Sequence, residues 1–361
     1  MNLNWGEDHS VLVEVAKSVF PKYSPLVDRA NSVSYADQLA QFRDLDWLQL
    51  GDATGLSSEC AALGSIAGIF VEMGYALVDT PLLDLTIARD VAMVLATDAS
   101  TKLAESIGSG AASVIPVLGR EDWGSQLNLE NGILRGTALA VAYAENADSF
   151  LVEAVEGSET VVAIVDAGSG STVAAMPNIG RYPLFAVTFE DAPVTADSIL
   201  ARGASADAAL EVATQRAAVL RAAQVHGAGK RLLDITVRYA QERNQFGGPI
   251  GRFQAVQYLC TDMTINVHLT SAYVRAAANA IDNRAPSQPH LALMCKQAAE
   301  TAREMVHSAH EVHAGMGYMV ESNVHLFTNA AKRWQYDFGT DATNDALVTS
   351  AVEHIYAGAG L

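Results

Sequence analysis

The densest group of chemically able side chains in this 361-residue sequence lies between Arg238 and Gln257: Arg-Tyr-Ala-Gln-Glu-Arg-Asn-Gln-Phe-Gly-Gly-Pro-Ile-Gly-Arg-Phe-Gln-Ala-Val-Gln. The pattern reads as a helix ending in a cation, a Gly-Gly-Pro turn, and a second helix opening on Phe253-Gln254. Such a corner gathers a guanidinium, side-chain amides and an aromatic face into a small volume. An arginine beside free backbone N–H groups is a receptor for a diphosphate. The plainer reading of the same residues is a solvated helix end with one packed phenylalanine.

Other chemistries find less support. Cys60, Cys260 and Cys295 lie far apart, with no CxxC pair or Cys/His cluster. Neither a metal site nor a disulfide framework is expected, and a reducing cytoplasm is the simplest setting. The net charge of −18 argues against a nucleic-acid or anionic-membrane surface, because phosphate affinity comes from clustered Lys and Arg. Any anionic ligand would need locally concentrated cations or helix N-termini. Half of the residues are apolar and 18% charged, the composition of a compact, well-buried chain. The opening MNLNWGEDHS lacks the basic-then-apolar layout of a secretory leader. The apolar stretch 61–83 is broken by Glu72, Asp79 and several glycines, so it reads as a buried helix and not a membrane span.

Three regions of different period must position the corner. Over 1–112, apolar residues recur at helical spacing (Val11, Val15, Phe20; Leu39, Phe42, Leu45; Ile66, Ile69, Phe70, Met73), which predicts four or five helices. Over 113–202 the period shortens to two, with strands predicted at 132–136, 149–154, 160–165 and 184–189. Asn131-Gly132 and Glu156-Gly157-Ser158 supply turns, and Asp191-Ala192-Pro193 reads as an exit loop. From 203 to 361 long alanine-rich helices are expected at 206–243, 253–280, 289–315, 321–333 and 343–357, forming a helical bundle. The fold class is mainly α with a small antiparallel β domain between two helical ones.

The pattern Tyr-(x)3-Arg-x-Gln-Phe-Gly-(x)2-Ile-(x)2-Phe-Gln-(x)2-Gln, from Tyr239 to Gln257, resembles the C-terminal signature of the acyl-CoA dehydrogenase family. Glu311-Val312-His313-Ala314-Gly315-Met316-Gly317-Tyr318 resembles that family's Gln-x-x-Gly-Gly-x-Gly-Tyr turn, and His325-Leu326-Phe327 and Ala331-Lys332-Arg333 fit downstream. The resemblance implies FAD as cofactor. It implies that Arg243, Gln245, Phe246 and Gln254 contact the diphosphate and adenosine of a flavin held by a neighbouring subunit. Glu311, His313, Gly315 and Thr340 fall at further flavin-contacting positions. Two departures weigh against strong binding: Glu311 replaces a glutamine, and Ala314 replaces a glycine.

The family's reaction removes an α-proton with a carboxylate while a β-hydride passes to the flavin. By the resemblance, the base is the Glu of a Tyr-Glu-Gly-Thr run, where this chain has Phe338, or sits one helix earlier, where it has Ala217. Neither can take a proton. Asp337, one residue away, is the remaining acid, with His226 and His313 as weaker candidates. In the β domain, Val117–Ser125 and Ala140–Ala144 keep little of the family's flavin-ring strands beyond Gly124-Ser125. The combination resembles the short, base-less subunit of two-chain acyl-CoA dehydrogenases of steroid degradation. It implies an α2β2 heterotetramer in which a homologous partner carries the catalytic Glu and an acyl-CoA is the substrate. A self-sufficient homomer using Asp337 and a flavin-free structural homologue remain the alternatives.

Overall fold

The computed structural model describes residues 4–29, 33–55, 60–119, 126–180 and 182–358, the side chains of 336 and 354–358 excepted. They fall into two compact units.

One unit draws on Val33–Cys60 and Thr80–Ala217. It holds helices α2 (Tyr35–Asp44), α4 (Leu82–Leu95) and α5 (Asp98–Gly108) and the strands β1 (Val114–Val117), β2 (Gln126–Glu130), β3 (Ile133–Ala142), β4 (Ser149–Glu156), β5 (Glu159–Asp166), β6 (Ser171–Ala175), β7 (Leu184–Pro193) and β8 (Ile199–Arg202). The strands run in the order β6-β7-β3-β2-β4-β5-β8, with β1 alongside β4. Alternating apolar residues, among them Leu127, Leu129, Phe150, Val152, Val187 and Phe189, make its core. Register follows from the turns. Asn131 and Gly132 both have positive φ, as a two-residue hairpin loop requires, and join Glu130 to its partner Ile133.

The sheet differs from the sequence reading in three ways. Strand β1 is parallel to β4, so the sheet is mostly, not wholly, antiparallel. The four-residue β1 and β8 and the exposed β6 carry too little alternation to be read, and β2 lies outside the predicted strands. Asp191-Ala192-Pro193 is no exit loop: β7 runs on past a bulge to pair Ala192 with Leu134 and Pro193 with Ile133. Proline is tolerated there because it ends the strand.

The other unit draws on Met1–Ser32, Ala61–Asp79 and Ala218–Leu361. It contains α1 (His9–Val19), α3 (Leu63–Tyr75), most of α6 (Ala204–Glu242), α7 (Gln254–Asp282), α8 (Gln288–His313), α9 (Val324–Asp337) and α10 (Asp341–Gly358). Among the described residues no helix is long and apolar enough to cross a membrane. Asp282 closes α3 by accepting from the backbone N–H groups of Leu63 (2.8 Å) and Gly64 (3.2 Å), a carboxylate at a helix N-terminus. Helices α3 and α6 then cross with almost no gap. A Cβ on Gly74 would sit 1.8 Å from the Gln224 carbonyl oxygen, and one on Gly227 would sit 1.8 Å from that of Val71. Glycine is required at both places.

The crossing gives a contrast within one helix. Gly227→Ala forces backbone apart and is expected to cost about 3 kcal/mol or more of stability, or to abolish soluble expression. Gly229→Ala meets nothing nearer than 3.5 Å and is expected to be neutral or to stabilise by up to about 1 kcal/mol through helix propensity. Thermal melts of the two variants check this.

Candidate functional site

Helix α6 ends at Glu242, and the chain turns through a hairpin of β9 (Asn244–Gln245) and β10 (Gly248–Pro249) before α7 begins at Gln254. The hairpin loop is Phe246-Gly247, with φ of 53° and 87°. Positive φ suits Gly247 and is strained for a bulky residue such as Phe246. Phe246 is 86% exposed, its ring edge-to-face with that of Phe253 at 6.1 Å between centroids. A strained backbone that holds an aromatic ring out in water calls for a functional reason.

Arg252, to which the sequence reading gave no role, fixes this loop. Its guanidinium donates to the carbonyl oxygens of Phe246 and Gly247 and lies over the Phe253 ring at 5.0 Å. The signal was available: a cation directly after Gly-Gly-Pro-Ile-Gly can reach back to loop carbonyls. Gln257 adds a bond to Gly251 O at 3.0 Å. Arg243 stands at the end of α6 with an exposed guanidinium that no ion pair or hydrogen bond engages among the described residues. Gln245 and Gln254 are exposed beside it.

The glycine turn comes to the same corner. Tyr239, one turn before Arg243, stacks on His313 at 4.2 Å. His313 is 5% exposed, so it faces inward and forms the floor of the turn, not its surface. Burial lowers its pKa to about 4, and it is neutral near pH 7. Glu311 is exposed and turned toward His307, 3.2 Å away. Gly317 is fixed by packing, since a Cβ there would meet His310 Nδ1 at 2.8 Å. Gly315 is different. A Cβ on it would meet nothing within 4 Å, so the chain itself gives no reason for a bare backbone there. The donor set of an exposed cation, two amides, an aromatic ring and a bare glycine fits a dinucleotide diphosphate.

Ala314 sits at φ 50°, ψ −136°, a conformation that glycine adopts freely and a residue with a Cβ does not. The turn keeps its shape at the cost of strain.

Thr340 is not part of this corner. It caps α10, accepting from Thr343 N at 3.1 Å, and the following Asp341 reaches Arg303 in the middle of α8. Eight residues separate Arg303 from Glu311, about 12 Å along the helix. Phe338 is 6% exposed. Asp337 is paired with Arg221 of α6, Nε to Oδ2 at 3.0 Å. Ala217 follows Arg216, whose Nε bonds Asp90 Oδ2 at 2.7 Å, both side chains buried. His226 is buried against Val267 O, its Nδ1 3.0 Å away, and desolvation lowers its pKa to about 4. No described group of His, Cys, Asp and Glu could hold a metal. The Ala140–Ala144 segment ends β3 and enters a short 3-10 turn, while Gly124-Ser125 lies outside the described residues.

The sequence of residues 204–352 matches the family model of the acyl-CoA dehydrogenase C-terminal domain. The chain is 31% identical over 331 residues to the acyl-CoA dehydrogenase FadE27 of Mycobacterium tuberculosis, covering 84% of this chain and 87% of that protein. Its fold superposes on a chain of the ChsE4-ChsE5 complex from Mycobacterium tuberculosis with a TM-score of 0.79 at 24% identity, over 100% of this chain and 99% of that one. A chain of the Tcur3481-Tcur3483 steroid ACAD gives 0.83 at 22% identity, over 98% and 100%.

Two outcomes follow from the geometry. Ala314→Gly relieves the turn and is expected to stabilise the protein by about 1–2 kcal/mol, read as a rise in Tm. The histidines set a pH dependence. Unfolded, each imidazole takes its proton near pH 6.5; folded, His226 and His313 wait until about pH 4. Between those values the unfolded chain holds more protons, so stability is full above pH 6.5 and falls as pH drops toward 4. Melts across that window should flatten in His226→Gln and His313→Phe relative to wild type.

Proposed function

The chain belongs to the acyl-CoA dehydrogenase family, and from that premise we propose that it is the base-less subunit of a heteromer, completing the flavin site of a partner that carries the catalytic carboxylate. Members of the family carry out FAD-dependent dehydrogenation of acyl-CoA thioesters. FAD, when bound, supplies the hydride acceptor. This chain's part would be to hold its diphosphate and adenosine. Arg243 offers a charge-assisted contact, Gln245 and Gln254 offer amides, Phe246 offers a stacking edge, and Gly315 allows backbone to approach. Glu311 lies at the margin of that set, His313 supports it from below, and Thr340, the cap of α10, stands apart from it.

The reading rests on Phe338, a buried side chain at the position where the family resemblance puts the proton-abstracting carboxylate. Ala217 leaves the second position equally inert. The runner-up base, Asp337, is already committed to Arg221. A general base must reach a substrate proton, and an acid locked on a guanidinium inside the protein is poorly placed to do so. The two structural neighbours named for paired chains support a two-chain assembly, and the one named as a steroid enzyme supports a bulky polycyclic acyl-CoA as substrate. We place the complex in the cytoplasm as an α2β2 tetramer.

Arg243→Ala tests the assignment. In the co-purified heteromer it should weaken FAD retention by about 1.5–3 kcal/mol, roughly 10- to 150-fold in Kd. Flavin per complex after gel filtration reads this directly. Wild-type flavin occupancy in the variant would count against the role given to the corner.

A further inference from the structure

A sequence with 41 acidic and 23 basic side chains offers an exposed arginine many carboxylates. Arg252 pairs with none among the described residues; its guanidinium is used on Phe246 O, Gly247 O and the face of Phe253. The other acceptors of the turn between α6 and α7 are covered in the same way. Asn244 Nδ2 donates to Glu242 O at 3.1 Å, and Gln245 Nε2 donates to Asn244 O at 2.8 Å. Ile250 N donates to Arg243 O at 2.9 Å, and Gln257 Nε2 to Gly251 O at 3.0 Å. The backbone N–H groups of Phe246 and Gly247, by contrast, have no hydrogen-bond partner among the described residues. An anion reaching the turn meets N–H donors and the Arg243 guanidinium, while the carbonyl oxygens are already occupied.

At the tip of the hairpin no neighbouring strand covers Phe246 O and Gly247 O, so a side chain has to. The central peptide of a two-residue loop can flip, which exchanges its N–H for its carbonyl and turns one hairpin type into the other. In a trans peptide the two groups point in opposite directions. By holding Phe246 O, Arg252 therefore fixes the Gly247 N–H on the far side of the same peptide. The planar fork of a guanidinium suits two adjacent carbonyls, which a single ammonium does not.

Gly248 makes the seat for that fork. It is absent from the glycines of positive φ, so its backbone would accept alanine. A Cβ there would nevertheless stand 2.9 Å from Arg252 Nη1. The two glycines thus divide the work: Gly247 allows the turn, at φ 87°, and Gly248 leaves room for the arginine.

We propose that Arg252 is a positioning residue for the cofactor: seated against Gly248, it covers the two tip carbonyls and holds the hairpin with its donors toward an anionic diphosphate. The proposal rests on the reading that this corner takes the FAD diphosphate. Arg252 acts through the backbone it holds, and Arg243 acts on the anion.

Titration of the flavin-stripped, co-purified heteromer with FAD, followed by flavin fluorescence, tests this. Arg252→Met keeps the stem and removes the donors, and it is expected to bind FAD about tenfold more weakly. Gly248→Ala keeps the charge but takes its seat, and a similar loss is expected. Arg252→Lys, which can reach one carbonyl, should fall between Arg252→Met and the wild type. The Tm of the chain purified alone should stay within about 2 °C of wild type in all three. Wild-type affinity in Arg252→Met overturns the proposal. So does wild-type affinity in Gly248→Ala beside a loss in Arg252→Met, which would make the guanidinium a direct charge contact. A Tm that falls further than this together with the affinity would overturn it too, as a general stabilising role. Arg243→Ala in the same titration separates the two levels: if it binds weakly while Arg252→Met binds normally, this proposal alone fails, and if both bind normally the reading of the corner fails with it.

Discussion

A charge removed from water must be met by an opposite charge or by several hydrogen bonds, and in the helices of this chain that demand fixes three pairs of side chains. Arg221 pairs with Asp337, Arg333 with Asp79, and Arg216 with Asp90. Such pairs add little net stability compared with apolar packing, but removing one member leaves an orphan charge, so the arrangement is hard to leave once formed. Residues bound in this way are not available to substrate. An enzyme's general base needs the opposite arrangement, a carboxylate desolvated yet free to accept a proton.

The cofactor corner is built on the contrary principle. Its side chains are exposed, its loop is strained at Phe246, and its turn is strained at Ala314. Arg252 and the stack of Tyr239 on His313 hold that strained backbone in place. Strain and exposure together are what a surface shows when its remaining contacts come from outside the chain. One chain thus carries buried ion pairs within its helices and an exposed, strained corner. Under the proposed reading, this is the division of labour of a subunit that assists a site without owning its chemistry.

Much of this was legible in the sequence. The helices after residue 203 follow directly from apolar periodicity, and the corner and glycine turn follow from the spacing of Arg243, Phe246, Gln254 and Gly315. That Phe338 and Ala217 stand where the family resemblance puts a base is an expectation drawn from alignment alone. What could not be read depends on partners distant along the chain. Asp337 reads as a free acid until α6 brings Arg221 beside it. His313 reads as a surface ligand until Tyr239 covers it. The glycine requirement at Gly227 exists only because α3 crosses there. The short strands β1 and β8 carry too few residues for alternation to show.

The most direct test is the visible absorption of the chain purified alone and again after co-expression with a homologous subunit that retains the catalytic carboxylate. A colourless chain that becomes part of a yellow, acyl-CoA-oxidising complex is the expected result. A yellow homomer that oxidises an acyl-CoA without any partner would contradict it.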